Sequence, residues 1–204
     1  MKRWLLGLCL ICACARSSDP RLYTLVAAKG RDTHEASATI EVRRPSLAGY
    51  LDRREVVRAV KSERLDVAGD SNWAEPLDAM IGRVLADNLA LRLPKSQVLT
   101  DLSSLGVVAD VRIDTEVQRF EQGPEGLVLR AAVAVRRGTE QKPLGVQIIE
   151  LKREVDGSGT EAVISTMNAL LGELADRVAS SLAAALAQPV AAAAGPAPSA
   201  TPQP

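Results

Sequence analysis

Hydrophobic and polar residues alternate most cleanly between Val107 and Val117. Val107, Ala109, Val111, Ile113, Thr115 and Val117 fall on one side, and Asp110, Arg112, Asp114, Glu116 and Gln118 on the other. A period of two predicts a strand with one face buried and the other wet or bound to something. Gly123-Pro124-Glu125-Gly126 supplies a turn, Leu127 to Val135 returns with the same period, and Leu144 to Arg153 completes a predicted meander. Upstream, the pattern predicts short strands over Arg21–Lys29, Ala38–Arg43, Glu55–Val60 and Arg64–Ala68. The charged turn Lys61-Ser62-Glu63 separates the last two.

The period then changes. Trp73, Leu77, Ile81, Val84, Leu85 and Leu89 recur every three or four residues and predict a helix over Trp73–Leu93. Asp70-Ser71-Asn72 offers side chains to cap it, Pro76 suits its first turn and Pro94 stops it. Asp78, Arg83, Asp87 and Arg92 lie off the apolar stripe, as solvated charges would. A second stripe, from Ile164 through Met167, Leu171, Leu174, Val178 and Leu182 to Ala185, predicts a helix over Glu161–Ala187, roughly 39 Å long at 1.5 Å per residue. Its near-heptad spacing fits a coiled coil or, the reading favoured here, a helix lying along its own sheet. The expected fold is a single α+β (α/β) domain over residues 21–187, a mixed or antiparallel sheet packed against two main helices.

The ends of the chain read differently. Lys2 and Arg3 followed by the apolar run Trp4–Ala13 form a secretory signal over residues 1–13, too short to span a bilayer as a helix. All three cysteines, Cys9, Cys12 and Cys14, lie here, so the domain has no disulfide framework. Ile11-Cys12-Ala13-Cys14 resembles a bacterial lipobox, which makes Cys14 the expected lipidation site, carrying fatty acyl chains such as palmitate. The alternative is an exported soluble protein cleaved further on. Ala15 rather than Asp after the cysteine resembles an outer-membrane address, placing the domain on the periplasmic face of that membrane. Residues 14–20 then form the lipidated N-terminus and tether, and 188–204 an Ala/Pro-rich tail without core-forming residues.

Composition narrows the chemistry. Twenty-five Lys+Arg against 25 Asp+Glu leave no basic excess for a nucleic-acid backbone, and five aromatics are too few for a stacking platform. The single histidine, His34, reads as a loop residue. A phosphate-binding Gly-x-x-x-x-Gly-Lys loop and a Gly-x-Ser-x-Gly elbow are both missing from the sequence. Glu75 and Asp78 have the spacing of a carboxylate pair but read more simply as surface charges. The expectation is a non-enzymatic protein with no catalytic residue, metal or cofactor.

A longer string carries a resemblance. Tyr50-Leu51-Asp52-Arg53-Arg54-Glu55-Val56-Val57, Arg64-Leu65, Trp73-Ala74-Glu75-Pro76-Leu77 and Arg83-Val84-Leu85-Ala86-Asp87-Asn88-Leu89, with the opening Arg21-Leu22-Tyr23-Thr24-Leu25 and Arg119-Phe120, resemble the ABC-type transport auxiliary lipoprotein family, Pqi-type lipoproteins among them. The chain departs from the family pattern at Gly69–Asn72 and at Ala131–Val135, where relatives carry aromatics. The resemblance implies an auxiliary lipoprotein of an MCE-type system supporting lipid transport and membrane integrity. Its implied partners are a periplasmic MCE-domain protein, an inner-membrane permease and ATPase, and further copies of itself in a homo-oligomer. A standalone envelope lipoprotein with a structural or assembly role is the alternative. Tyr50, Leu51 and Arg53 are candidate partner contacts, since Tyr and Arg favour interface cores. Trp73 and Pro76 are candidates too, although a tryptophan opening an amphipathic helix also suits the core.

Overall fold

The computed structural model describes residues 19–61, 64–100, 105–138 and 143–187. The proposed signal, Cys14 and the Ala/Pro tail lie outside the described residues. In chain order the elements are β1 (Arg21–Tyr23), β2 (Thr39–Val42), β3 (Ser46–Leu47), β4 (Glu55–Lys61), β5 (Arg64–Trp73), α1 (Leu77–Arg92), β6 (Gln97–Thr100), β7 (Val111–Gly123), β8 (Gly126–Arg137), β9 (Pro143–Arg153) and α2 (Thr160–Ala187). All nine strands join one mixed sheet, with two helices packed on it.

Strand β7 is the hub. One edge pairs antiparallel with β8 along its length, and β8 pairs with β9. Its other edge is shared by β2, β3 and β4 in turn, all parallel to it. From there β2 pairs with β6, while β4 pairs with β5 and β5 with β1. The core lies under one face, where Val111, Ile113, Val117, Leu129, Ala131, Ile149 and Leu151 meet Ile81, Leu85 and Leu89 of α1 and Met167, Leu171, Leu174 and Val178 of α2 in one cluster. The stripe of α2 therefore serves its own sheet.

Several expectations shift, each for a local reason. The first strand ends at Tyr23 rather than Lys29 because the following backbone amides find partners on the helices. Val26 N–H donates to Asn168 Oδ1 (3.0 Å), Ala28 N–H to Asn88 Oδ1 (2.9 Å) and Arg31 N–H to Asp176 Oδ1 (3.4 Å). That segment leaves the sheet and drives Leu25 into the core. The first helix begins at Leu77, not Trp73. Ser71, Asn72 and Trp73 finish β5, opposite Arg21, Leu22 and Tyr23, and Pro76 takes an extended conformation (ψ 130°) just before the helix. The predicted side-chain cap at Asp70-Ser71-Asn72 is thus strand. Strands β3 and β6 are too short to carry a period and were not expected.

Arg92 corrects the reading of solvated charges on α1. Its side chain is 1% exposed and donates from Nε to Asp176 Oδ1 at 2.5 Å. It also donates to the carbonyls of Asn88 (2.8 Å), Gly172 (2.8 Å) and Ala28 (3.3 Å). Gly30 and Gly172 make room: a Cβ on Gly30 would stand 2.9 Å from Arg92 Cγ, and one on Gly172 3.0 Å from Ala28 Cβ. One guanidinium thus ties α1, α2 and the strap after β1 together.

Candidate functional surface

The helices cover one face of the meander and leave the other bare. On the bare face Arg112 pairs with Glu41 (2.8 Å), Arg136 with Asp114 (2.7 Å) and Arg130 with Glu150 (2.9 Å). Between these pairs lies an apolar strip. Ala134 stands opposite Val146 and Ala132 opposite Ile148, with Val146 60% and Ile148 63% exposed. The two alanines leave a hollow of about 230 Å³, walled by Ser46, Asp114, Glu116 and Val146. Strand β9 has β8 as its only strand partner among the described residues, so its outer edge is unpaired.

A second feature follows from a bulge. Val117 pairs with Ala131 but Arg119 with Arg130, so Gln118 is an extra residue in β7. A bulge shifts the alternation by one. Past it Phe120 faces the core, and Gln118, Arg119 and Glu121 gather beside Tyr50. The strand therefore continues six residues beyond its expected end at Val117. Glu121, 3% exposed, accepts from Tyr50 O–H (2.7 Å), Phe120 N–H (2.9 Å) and Arg119 (2.9 Å). Burial and the bond to Glu121 push the Tyr50 phenol well above its ordinary value, so it remains a donor. The cluster forms one wall of a groove of about 610 Å³, whose other walls include Ala59, Leu65, Pro124 and Val128.

The sequence-predicted contact residues divide. Tyr50 is half-buried and lines the groove, Arg53 is exposed on the adjoining turn, and Pro76 is exposed ahead of α1. Leu51 (2% exposed) and Trp73 (5%) correct the expectation, because both pack into the core and present no surface to a partner. Trp73 is fixed there by its place at the end of β5, where its N–H donates to the Arg54 carbonyl (2.7 Å). Val146 and Ile148 were not among the candidates. Their signal was present: in Leu144-Gly145-Val146-Gln147-Ile148-Ile149 the apolar residues change phase at Ile149, so one set had to face away from the helices.

The remaining chemistry is quiet. Glu75 pairs with Arg83 (2.6 Å) and Asp78 with Arg44 (2.6 Å), so each carboxylate has its own cation. The Arg44 hydrogen bond holds Asp78 below the usual carboxylate range. Among the described residues no group of three His, Cys, Asp or Glu is placed to hold a metal, and no helix is long and apolar enough to cross a membrane. His34 sits in a loop, its N–H donating to the Arg92 carbonyl (2.8 Å).

A mixed sheet with two helices on one face and a charged, partly apolar face left open defines a single α+β domain. The sequence matches the family described as the ABC-type transport auxiliary lipoprotein component over residues 23–179, and the chain belongs to that family. The fold is similar to that of the Xanthomonas campestris protein XCC0632, from a family of unknown function (TM-score 0.68, 15% identity, covering 81% of this chain and 96% of that one). It is also similar to a solved structure described as an uncharacterized protein (TM-score 0.63, 17% identity, covering 78% and 99%). No curated protein matches the chain in sequence.

Proposed function

We propose that this chain is a non-enzymatic lipoprotein, lipidated at Cys14 and held on the periplasmic face of the outer membrane. There it serves an MCE-type system that moves lipid between inner and outer membranes. The family is that of transport auxiliary lipoproteins. The observation that carries a docking role is the bare meander face, where Val146 and Ile148 stand exposed on an unpaired edge strand within a rim of ion pairs. Exposed apolar residues grouped on an open sheet edge suit a protein partner, for which strand edges are templates. In this reading the partner is the periplasmic MCE-domain protein, and the permease and ATPase act at the inner membrane. Tyr50 and Arg53, beside the groove, and Pro76 remain proposed contacts, with the Tyr50–Arg53 turn meeting another copy of the chain.

In-cell photo-crosslinking tests this. A benzophenone amino acid at Ile148 is expected to give an adduct containing the MCE-domain protein, and one at Arg53 an adduct of the chain with itself. An Ile148 adduct with a different envelope protein, or none, overturns the transporter role in favour of a standalone lipoprotein. Absence of the Arg53 self-adduct removes the homo-oligomer contact.

A further inference from the structure

Three residues stand in a row across the bare face of the meander. Glu116 of β7 pairs with Ala132 of β8, and Ala132 with Ile148 of β9. At about 4.8 Å between neighbouring strands, the row spans about 10 Å from the carboxylate's strand to that of the exposed isoleucine. The row Asp114–Ala134–Val146 lies beside it. The middle strand therefore contributes only methyl groups at these positions. The 230 Å³ hollow opens over them, with Glu116 and Ser46 on its β7 side and Val146 on its β9 side.

Charge singles out Glu116. The carboxylates around it each hold a cation: Glu41 holds Arg112, Glu150 holds Arg130, and Asp114 is shared by Arg136 and, at 3.9 Å, Arg43. Glu116 is exposed and, among the described residues, its side chain has neither an ion pair nor a hydrogen bond. The cations that flank it on β8 are committed elsewhere. Arg130 donates to Gln118 Oε1 (3.0 Å) as well as to Glu150, and Arg136 donates to Asp114.

Water solvates a surface carboxylate well, so an unpaired one by itself names no ligand. This one borders a hollow floored by methyl groups and flanked by exposed Val146 and Ile148. Lysine and arginine side chains match that combination, because their apolar stems lie on hydrocarbon while the charged head reaches a carboxylate. A neutral apolar side chain would fill the hollow but leave Glu116 desolvated and unpaired, and an acidic one would be repelled.

We propose that the hollow receives a lysine or arginine side chain of the docking protein, with its stem over Ala132 and Ala134 and its cationic head on Glu116. A strand added at the outer edge of β9 would stand about 14 Å from β7, so the cation comes from a part of the partner lying over the face. This assignment rests on the proposed docking of a protein partner at the bare face.

The test uses the full chain in cells, with the benzophenone amino acid at Ile148 and residue 116 either unchanged or carrying Glu116→Gln or Glu116→Lys. Melting curves of the purified variants are expected to match the parent's, because the Glu116 side chain is exposed and bonds to nothing described within the chain. Glu116→Gln, which keeps the side chain's shape, is expected to lower the adduct yield about tenfold, and Glu116→Lys to abolish the adduct. Changing one basic residue of the crosslinked partner segment to Glu is then expected to restore the adduct of Glu116→Lys. Unchanged yields in both Glu116 variants, or a loss that no such reversal restores, overturn the cation assignment while the docking stands. Absence of an adduct from the parent chain, or an adduct of the chain with itself, overturns the docking and the assignment with it.

Discussion

The two faces of the β7–β8–β9 meander are built from the same three strands yet treat charge in opposite ways. On the bare face each arginine is surface-accessible and meets a carboxylate at the rim: Arg112 with Glu41, Arg130 with Glu150, Arg136 with Asp114. On the covered side the helices bury Arg92 to 1% exposure and close it in with Asp176 and three backbone carbonyls. Exposed pairs contribute about 0–1 kcal/mol, because water already solvates both ions. Losing one partner of a buried pair costs about 3–5 kcal/mol, because the remaining groups stay desolvated. The covered side therefore holds the fold together, and the bare side tolerates substitution at little cost in stability.

Arg92→Ala should break this contrast most severely. It leaves Asp176 without its buried cation, removes a donor from the Asn88, Gly172 and Ala28 carbonyls and leaves a cavity between α1 and α2, so a loss of about 3–5 kcal/mol is expected from urea unfolding. Arg136→Ala, on the bare face, is the matched control and should cost less than about 1 kcal/mol. Equal losses at the two positions would erase the distinction between the faces.

Tyr50→Phe probes the boundary between the two regimes, because the Tyr50 hydroxyl bonds to the 3%-exposed Glu121 from the groove side. Removing one donor from a buried carboxylate that keeps two others should cost about 1–3 kcal/mol. The phenol's raised folded value also sets a sign. In the unfolded chain it ionises near 10.0, so its stabilising contribution is full below that pH and falls as the pH rises toward the folded value. Tyr50→Phe should therefore be less stable than the parent at neutral pH and show a shallower loss of stability above pH 10 in the same unfolding series. Parallel alkaline limbs would mean the hydroxyl is not held by Glu121.

How far the sequence announced all this depends on whether local pattern or distant partners set each element. The meander, α2 and the greater part of α1 were legible, because each buries one face repeatedly and so imposes a period on its own residues. Trp73 was harder. It heads the helical stripe and stands at i−4 from Leu77, but its conformation is set by pairing with Tyr23, fifty residues earlier in the chain. The strap after Tyr23 was hidden for the same reason, since Asn88, Asn168 and Asp176 hold it from remote positions. Arg92 is polar by type and buried by circumstance, and no local rule distinguishes it from Arg83. Of the candidate surface, Tyr50 and Arg53 lie where a partner has access and Leu51 does not, and residue type alone could not separate the three. The Gln118 bulge left its trace as a three-residue gap between Val117 and Phe120 where two was expected.

The smallest stability effect is expected at Ile148, and it sharpens the comparison because function and folding should part there. The side chain is 63% exposed and sits on an edge strand above Ala132, so its removal opens no cavity. Threonine keeps the branched shape that strands favour, and Ile148→Thr should shift unfolding by about 0.5 kcal/mol or less. Against a partner the balance differs. Covering an isoleucine side chain that water now reaches contributes up to about 1.5–3 kcal/mol when burial is complete, and a hydroxyl placed in that contact opposes it. With the crosslinker moved to neighbouring Val146, Ile148→Thr should lower the yield of the MCE-domain adduct while the melting curve stays in place. An unchanged adduct yield would show that the strip is bystander surface and would shift the docking role to the Tyr50 groove. A large drop in melting temperature would instead mean that the bare face contributes to the core and that the two faces are less separate than their charges indicate.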